Sequence, residues 1–188
     1  VDRTRGERVA VKFLEGSLAA DAARVARLEG EVARAQGLPR EHLVQVHGLE
    51  RLEGRTFLVM EFLEGGDLGQ LRGRSFESWA SAADGVAAAL EALHAVRVVH
   101  RNRKCANVFL DGAGRAKLGD FGLTALAGAP PEGGSPYNAS PQQLRGEPAA
   151  RADDLYAFGA LLYELISGHP PYYPEITRDR VLYEPVPP

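Results

Sequence analysis

Several residues with a capacity for chemistry fall in a fixed order along this chain. Val9-Ala10-Val11-Lys12 ends an apolar run on a lysine, and Glu31 follows in a helix-like stretch. His100-Arg101-Asn102-Arg103-Lys104-Cys105-Ala106-Asn107 comes next, and Asp120-Phe121-Gly122 lies thirteen residues beyond Asn107. Gly134-Ser135-Pro136, Ser140-Pro141-Gln142 and Asp154-Leu155-Tyr156-Ala157-Phe158-Gly159 complete the series. Lys12 is a cation, and Asn107 and Asp120 carry hard oxygen donors. Side chains of these types can bind an anion or a hard cation. A desolvated ammonium also needs a carboxylate partner. Each element alone is common; the order and spacing together carry the signal.

The elements that must hold these residues can be read from periodicity. Val9 to Leu14 is a β-branched, apolar run and reads as a strand. Ala19 to about Gln36 repeats Val25, Leu28, Val32 and Ala35 at helical spacing and stops near Gly37 and Pro39. His42–His47 and Thr56–Phe62 read as two more strands with a turn at Gly54. Gly65-Gly66-Asp67 interrupts the pattern as a hinge between two lobes. Phe76 to Val96 then reads as a buried helix carrying Trp79, Ala83, Val86, Leu90 and Leu93 on one face. Val98 to Gly122 reads as small hairpin strands broken at Asp111-Gly112 and Gly114, and residues 127–141 as a loop. Asp153 to Ser167 reads as a helix clustering Leu155, Phe158, Leu162, Leu165 and Ile166, stopped by Gly168 and Pro170. The Pro-rich tail reads as irregular.

The series resembles the signature set of the eukaryotic-type (Hanks-type) Ser/Thr protein kinase family: strand lysine, helix glutamate, His-Arg-Asp loop, Asp-Phe-Gly, and an Ala-Pro-Glu-like close of the activation segment. The resemblance spans nearly the whole chain. It implies an α+β, bilobal fold, with a small β-rich N-lobe bearing one helix over residues 1–63 and a mainly helical C-lobe over 64–188, both truncated. It implies ATP and Mg2+ as cofactors and transfer of the γ-phosphate to protein Ser/Thr. By the same resemblance Lys12 grips the α- and β-phosphates with Glu31 as its partner. Asn107 and Asp120 hold the metal, and Lys104 steadies the γ-phosphate. Met60 takes the gatekeeper position, Glu61 and Leu63 offer hinge backbone to the adenine edge, and Ala10 and Phe109 close the apolar slot around the ring. Asp67 either reaches a ribose hydroxyl or ends the hinge. His100, Arg101, Phe121, Gly122 and Asp154 are structural; Arg101 also has the capacity to bind a phosphate on the activation segment, where Ser135 either accepts that phosphate or serves a turn. Thr124, Tyr137 and Ser140 serve turns.

The sequence departs from the family pattern in places that bear on catalysis. Asn102 stands where the family has the aspartate that takes the substrate hydroxyl's proton. An amide is not basic at neutral pH, though its carbonyl still accepts a hydrogen bond. Arg103 replaces an apolar residue and Gln142 a glutamate. The glycine-rich phosphate loop lies before Val1, and the last family helices lie beyond Tyr173, so the chain reads as a piece of a longer protein.

Bulk properties set the remaining bounds. The chain has 188 residues, 45% hydrophobic and 25% charged, with a formal charge of −3. That balance argues against bulk attraction to nucleic acid or to an anionic membrane. The single cysteine, Cys105, excludes an intramolecular disulfide and fits a reducing, cytoplasmic setting. The Ala- and Arg-rich composition fits a bacterial source. Two readings follow: an ATP-dependent protein Ser/Thr kinase with impaired catalysis, or a pseudokinase that binds nucleotide or a signalling partner. A small-molecule kinase fits less well, because Lys104 and residues 134–142 match the protein-substrate platform. Substrate, regulatory signal and oligomeric state are not legible.

Overall fold

Val9–Phe13 forms strand β1, as its β-branched residues favour. Val46–Leu52 forms β2 and Arg55–Glu61 forms β3. β3 is central in an antiparallel sheet of order β1-β3-β2, with Ala10 opposite Met60 and Lys12 opposite Leu58. Helix α1, Ala22–Gln36, buries Val25, Leu28 and Val32 and lies on β2. These elements make the small lobe. The structure, a computed structural model, describes residues 6–14, 22–101, 104–120, 125–126 and 137–188, without the side chains at 24, 27, 31, 35, 125 and 126.

The run His42–His47 behaves differently from its strand-like pattern. Only its end enters β2. Leu118 N–H donates to the His42 carbonyl at 2.8 Å, and Val44 N–H donates to the Leu118 carbonyl at 2.9 Å. Leu43, Val44 and Val46 are all buried, while His42, Gln45 and His47 are half-buried. A short run that mixes apolar and polar residues cannot by itself say which element it joins. Here it laces the small lobe to the large one.

The connector between the lobes approaches the following hairpin closely. Gly65 N–H donates to the Leu110 carbonyl and Leu110 N–H to the Gly66 carbonyl, both at 2.9 Å. A Cβ on Gly65 would sit 2.7 Å from the carbonyl oxygens of Leu110 and Asp111, a distance only glycine tolerates.

The large lobe is built on α2, Phe76–Ala95. Trp79, Ala82, Val86, Ala89, Leu90 and Leu93 recur on its buried face at spacings of three and four. Strand β4, Val98–Val99, leads to a three-residue 3-10 turn at Cys105–Asn107. The hairpin of β5, Val108–Leu110, and β6, Ala116–Leu118, comes next. Strand β7, Ala125–Leu126, pairs with β4. Pro141–Leu144 is a single-turn helix, α3, and Arg151–Ser167 is the long helix α4, which lies against α2.

Two features differ from the periodicity reading. The buried face of α4 holds Asp153, Asp154, Ala157, Leu161, Glu164 and Leu165, while Leu155 and Ile166 are exposed. The helix is turned so that three acids point inward, each with a partner. The tail is not wholly irregular: Arg178–Tyr183 forms helix α5, capped by Thr177 Oγ1 accepting from Arg180 N–H. One apolar cluster runs through both lobes, from Leu28, Leu58 and Met60 to Val86, Leu118, Leu161 and Leu165. Among the described residues no helix is long and apolar enough to cross a membrane.

Candidate active site

The bottom of the site is a buried carboxylate. Asp154, in the first turn of α4, accepts backbone N–H bonds from His100 and Arg101, each at 3.0 Å. It also accepts from His94 Nε2 of α2 at 2.6 Å. The helix N-terminus favours negative charge there. Arg101 has φ +63°, a left-handed backbone that a bulky residue adopts only when its surroundings hold it. The two N–H bonds to one carboxylate are what hold it.

A second anchor fixes the segment that carries Asp120. His100 Nε2 lies 2.8 Å from the Gly119 carbonyl. A carbonyl only accepts, so Nε2 bears the proton in this contact. Gly119 N–H donates to the Asn107 carbonyl at 2.9 Å. The peptides flanking Gly119 are therefore held on both sides, and Asp120 follows with φ +63°, a conformation Asp tolerates better than most residues. A Cβ on Gly119 would lie 2.9 Å from both the Phe109 ring and Val44 Cγ2, so the glycine is required by close approach.

These anchors bring three of the sequence-predicted residues to one place. Asp120 points to Lys12 of β1, and the two form an ion pair across the lobes. Lys12 is 49% exposed and Asp120 18% exposed, so the pair is partly open to solvent. Asn107 is buried and ends the 3-10 turn one backbone hydrogen bond from Gly119. Lys104, at the start of that turn, is exposed. Ala10 and Met60 face one another in the β1–β3 register, Met60 buried and Ala10 half-buried, and Phe109 is half-buried on β5. Leu63 is half-buried in the connector. The Asp67 carboxylate accepts from Gly69 N–H at 2.8 Å and caps the 3-10 turn Leu68–Leu71. The Glu31 side chain, Asn102, Phe121, Gly122 and Ser135 lie outside the described residues.

The donor set suits Mg2+ held jointly with phosphate. Asn107 and Asp120 offer an amide and a carboxylate oxygen, both hard donors. Among the described residues no three His, Cys, Asp or Glu side chains gather as a metal cage. Mg2+ in phosphoryl-transfer sites takes few protein ligands and completes its shell from phosphates and water.

Other contacts around these residues had no sequence motif to announce them. Asp153 sits beside Asp154, fully buried; it accepts from Ser140 Oγ at 2.5 Å and from Ala150 N–H at 3.1 Å. Its Oδ2 lies 3.5 Å from Arg101 Nε. Arg101 is only 5% exposed, and its Nε and Nη2 have no hydrogen-bond partner among the described residues. Ser140 also caps α3 by accepting from Gln143 N–H at 3.0 Å, so its hydroxyl is fully engaged. Under the 3-10 turn, Arg72 Nη2 pairs with Glu164 Oε1 at 2.6 Å. The Cys105 thiol is buried against Glu164; burial first, then that carboxylate, push its pKa up to about 12. Glu61 turns its carboxylate to Lys117 of β6, with Nζ–O distances of 2.9 and 3.0 Å.

Comparison with known proteins fits this geometry. The protein kinase domain family matches residues 1–184. The chain is 38% identical to the serine/threonine-protein kinase PkaA of Streptomyces coelicolor over 89% of its length and 33% of the relative's. It is 33% identical to the serine/threonine-protein kinase Pkn1 of Myxococcus xanthus, over 90% of this chain and 26% of that protein. It is 31% identical to the serine/threonine-protein kinase PknA of Mycobacterium tuberculosis, over 92% and 43%. The chain thus spans less than half the length of these relatives, all bacterial. Motif order, cleft geometry and similarity agree that the chain belongs to the Hanks-type serine/threonine protein kinase family.

Proposed function

We propose that this chain is the nucleotide-binding core of a protein kinase that transfers the ATP γ-phosphoryl group to protein Ser/Thr slowly, with the lobes dividing near residue 63. The observation that carries the reading is the cross-lobe pair of Lys12 with Asp120, beside Asn107. In this reading Lys12 binds α- and β-phosphate oxygens. Asp120 and Asn107 are the residues that would hold Mg2+, whose charge neutralises the phosphates during transfer. Met60, Ala10 and Phe109 shape the apolar slot, and the backbone of Glu61 and Leu63 meets the adenine edge. Lys104 steadies the γ-phosphate.

The slow rate follows from Asn102. A positioned general base contributes about 10²–10⁴-fold, and an amide does not supply it. Positioning and electrostatics do most of the work in phosphoryl transfer, so residual turnover survives. The test is radiolabelled γ-phosphoryl transfer by the intact protein beside Asn102→Asp. The reverted protein should gain on the order of 10²-fold or more; no gain would show the missing-base argument to be wrong. Thermal-shift titration with Mg·ATP tests binding separately, and Lys12→Ala should abolish the shift.

The second reading is a pseudokinase that binds nucleotide or a protein partner without useful transfer. Asn102 favours it as well. A Mg·ATP thermal shift, with no transfer from either the parent or Asn102→Asp, would select it.

A further inference from the structure

We infer that Lys117 is a positioning residue that couples the adenine end of the cleft to its phosphate end. The inference rests on the nucleotide-binding reading above. Glu61 is the last residue of β3 and follows Met60 directly. Its carboxylate turns toward Lys117, whose Nζ reaches both oxygens at 2.9 and 3.0 Å. Gln45 N–H donates to the same carboxylate at 2.7 Å, while Glu61 N–H donates to the Gln45 carbonyl at 2.9 Å. Backbone and side chain of Glu61 are thereby held together.

Lys117 is well placed to transmit that hold. Its side chain is 13% exposed and that of Glu61 22%, so the pair is largely shielded from water and weakly screened. The next residue, Leu118, exchanges backbone hydrogen bonds with His42 and Val44. Lys117 lies opposite Phe109 in the β5–β6 register, so the two side chains share a face of the hairpin. Asp120 comes three residues later, an extended span of roughly 10 Å. The segment 117–120 is therefore fastened to the hinge at one end and to Lys12 at the other. It sets how far the hinge lies from the phosphate-facing pair. A ligand that touches both ends senses that separation, and one that touches only the hinge does not.

The experiment measures Kd for Mg·ATP and for adenosine on the intact protein by calorimetry. Lys117→Met should weaken Mg·ATP by about tenfold while adenosine changes less than about twofold, so the ratio of the two affinities falls. Lys117→Arg should keep the parent ratio. Glu61→Gln should lower the ratio as Lys117→Met does, and it serves as the independent probe if the lysine variant does not fold. Combining both substitutions should cost no more than either alone. An unchanged ratio in Lys117→Met or Glu61→Gln, or an equal loss for both ligands, would overturn the inference and leave the pair merely structural. Parent protein that binds neither ligand would remove the nucleotide-binding reading, and this inference with it.

Discussion

Two aspartates, Asp154 and Asp120, are treated in opposite ways by this fold. Asp154 is sealed from water and gathers the backbone N–H groups of His100 and Arg101 together with the His94 ring. Asp120 is partly open and meets a half-exposed ammonium from the other lobe. The first carboxylate shapes the loop, and the second faces the cleft. Rigidity is thus concentrated one layer beneath the chemistry, where desolvation makes each hydrogen bond costly to lose. The cleft contact is solvent-screened and can be exchanged for a ligand at small cost.

That contrast can be broken from either side. Asp154→Ala should have the largest effect, lowering stability by about 3–5 kcal/mol, because it strands two buried N–H groups and a histidine. Urea unfolding measures it, and a loss below about 1 kcal/mol would erase the distinction between the two carboxylates. Gly119→Ala should come next, at about 1–3 kcal/mol, since its new methyl meets Phe109 and Val44. The same unfolding curve reads it, and a neutral result would mean that the ring and valine yield freely.

Alkaline pH sharpens the comparison further. The Cys105 thiol is raised from 9.0 to about 12 and the Tyr156 phenol, also by burial, from 10.0 to about 12. Both are neutral when folded, and the unfolded chain ionises first. Their contribution is therefore complete below about pH 9 and is lost as pH climbs toward 12. For Cys105 the loss at pH 10 is on the order of 1 kcal/mol. Cys105→Ala should flatten the stability curve between pH 9 and 10. A parallel curve would place the titration elsewhere. The smallest stability effect belongs to Lys12→Ala, within about 0.5 kcal/mol by chemical denaturation, even though it should abolish the Mg·ATP thermal shift. A large destabilisation there would make Lys12 part of the scaffold.

Much of this was legible in the sequence, for identifiable reasons. Strand β1, helix α2 and the Gly65 break follow simple periodicities, and the motif series Lys12, Asn107, Asp120 announces the cleft. Helix α4 was harder, because Asp153, Asp154 and Glu164 lie on its buried face and periodicity assigns acids to solvent. Its apolar Leu155 and Ile166 point outward instead. The run at 42–47 mixes His42, Gln45 and His47 with buried apolar residues, and its crossing to Leu118 left no periodic trace. The Glu61–Lys117 contact joins residues far apart in the chain, each of an ordinary surface type, and only the folded register brings them together.

The thiol beneath the 3-10 turn has a practical consequence. Thiolates, not thiols, attack alkylating agents and peroxides, and Cys105 is both protonated and shut away. At neutral pH a maleimide or iodoacetamide would find it silent in the closed molecule and reactive once the Arg72–Glu164 cover lifts. As the sole sulfhydryl in the chain, it is a built-in clock for breathing of the larger lobe, readable by mass spectrometry with no engineered label.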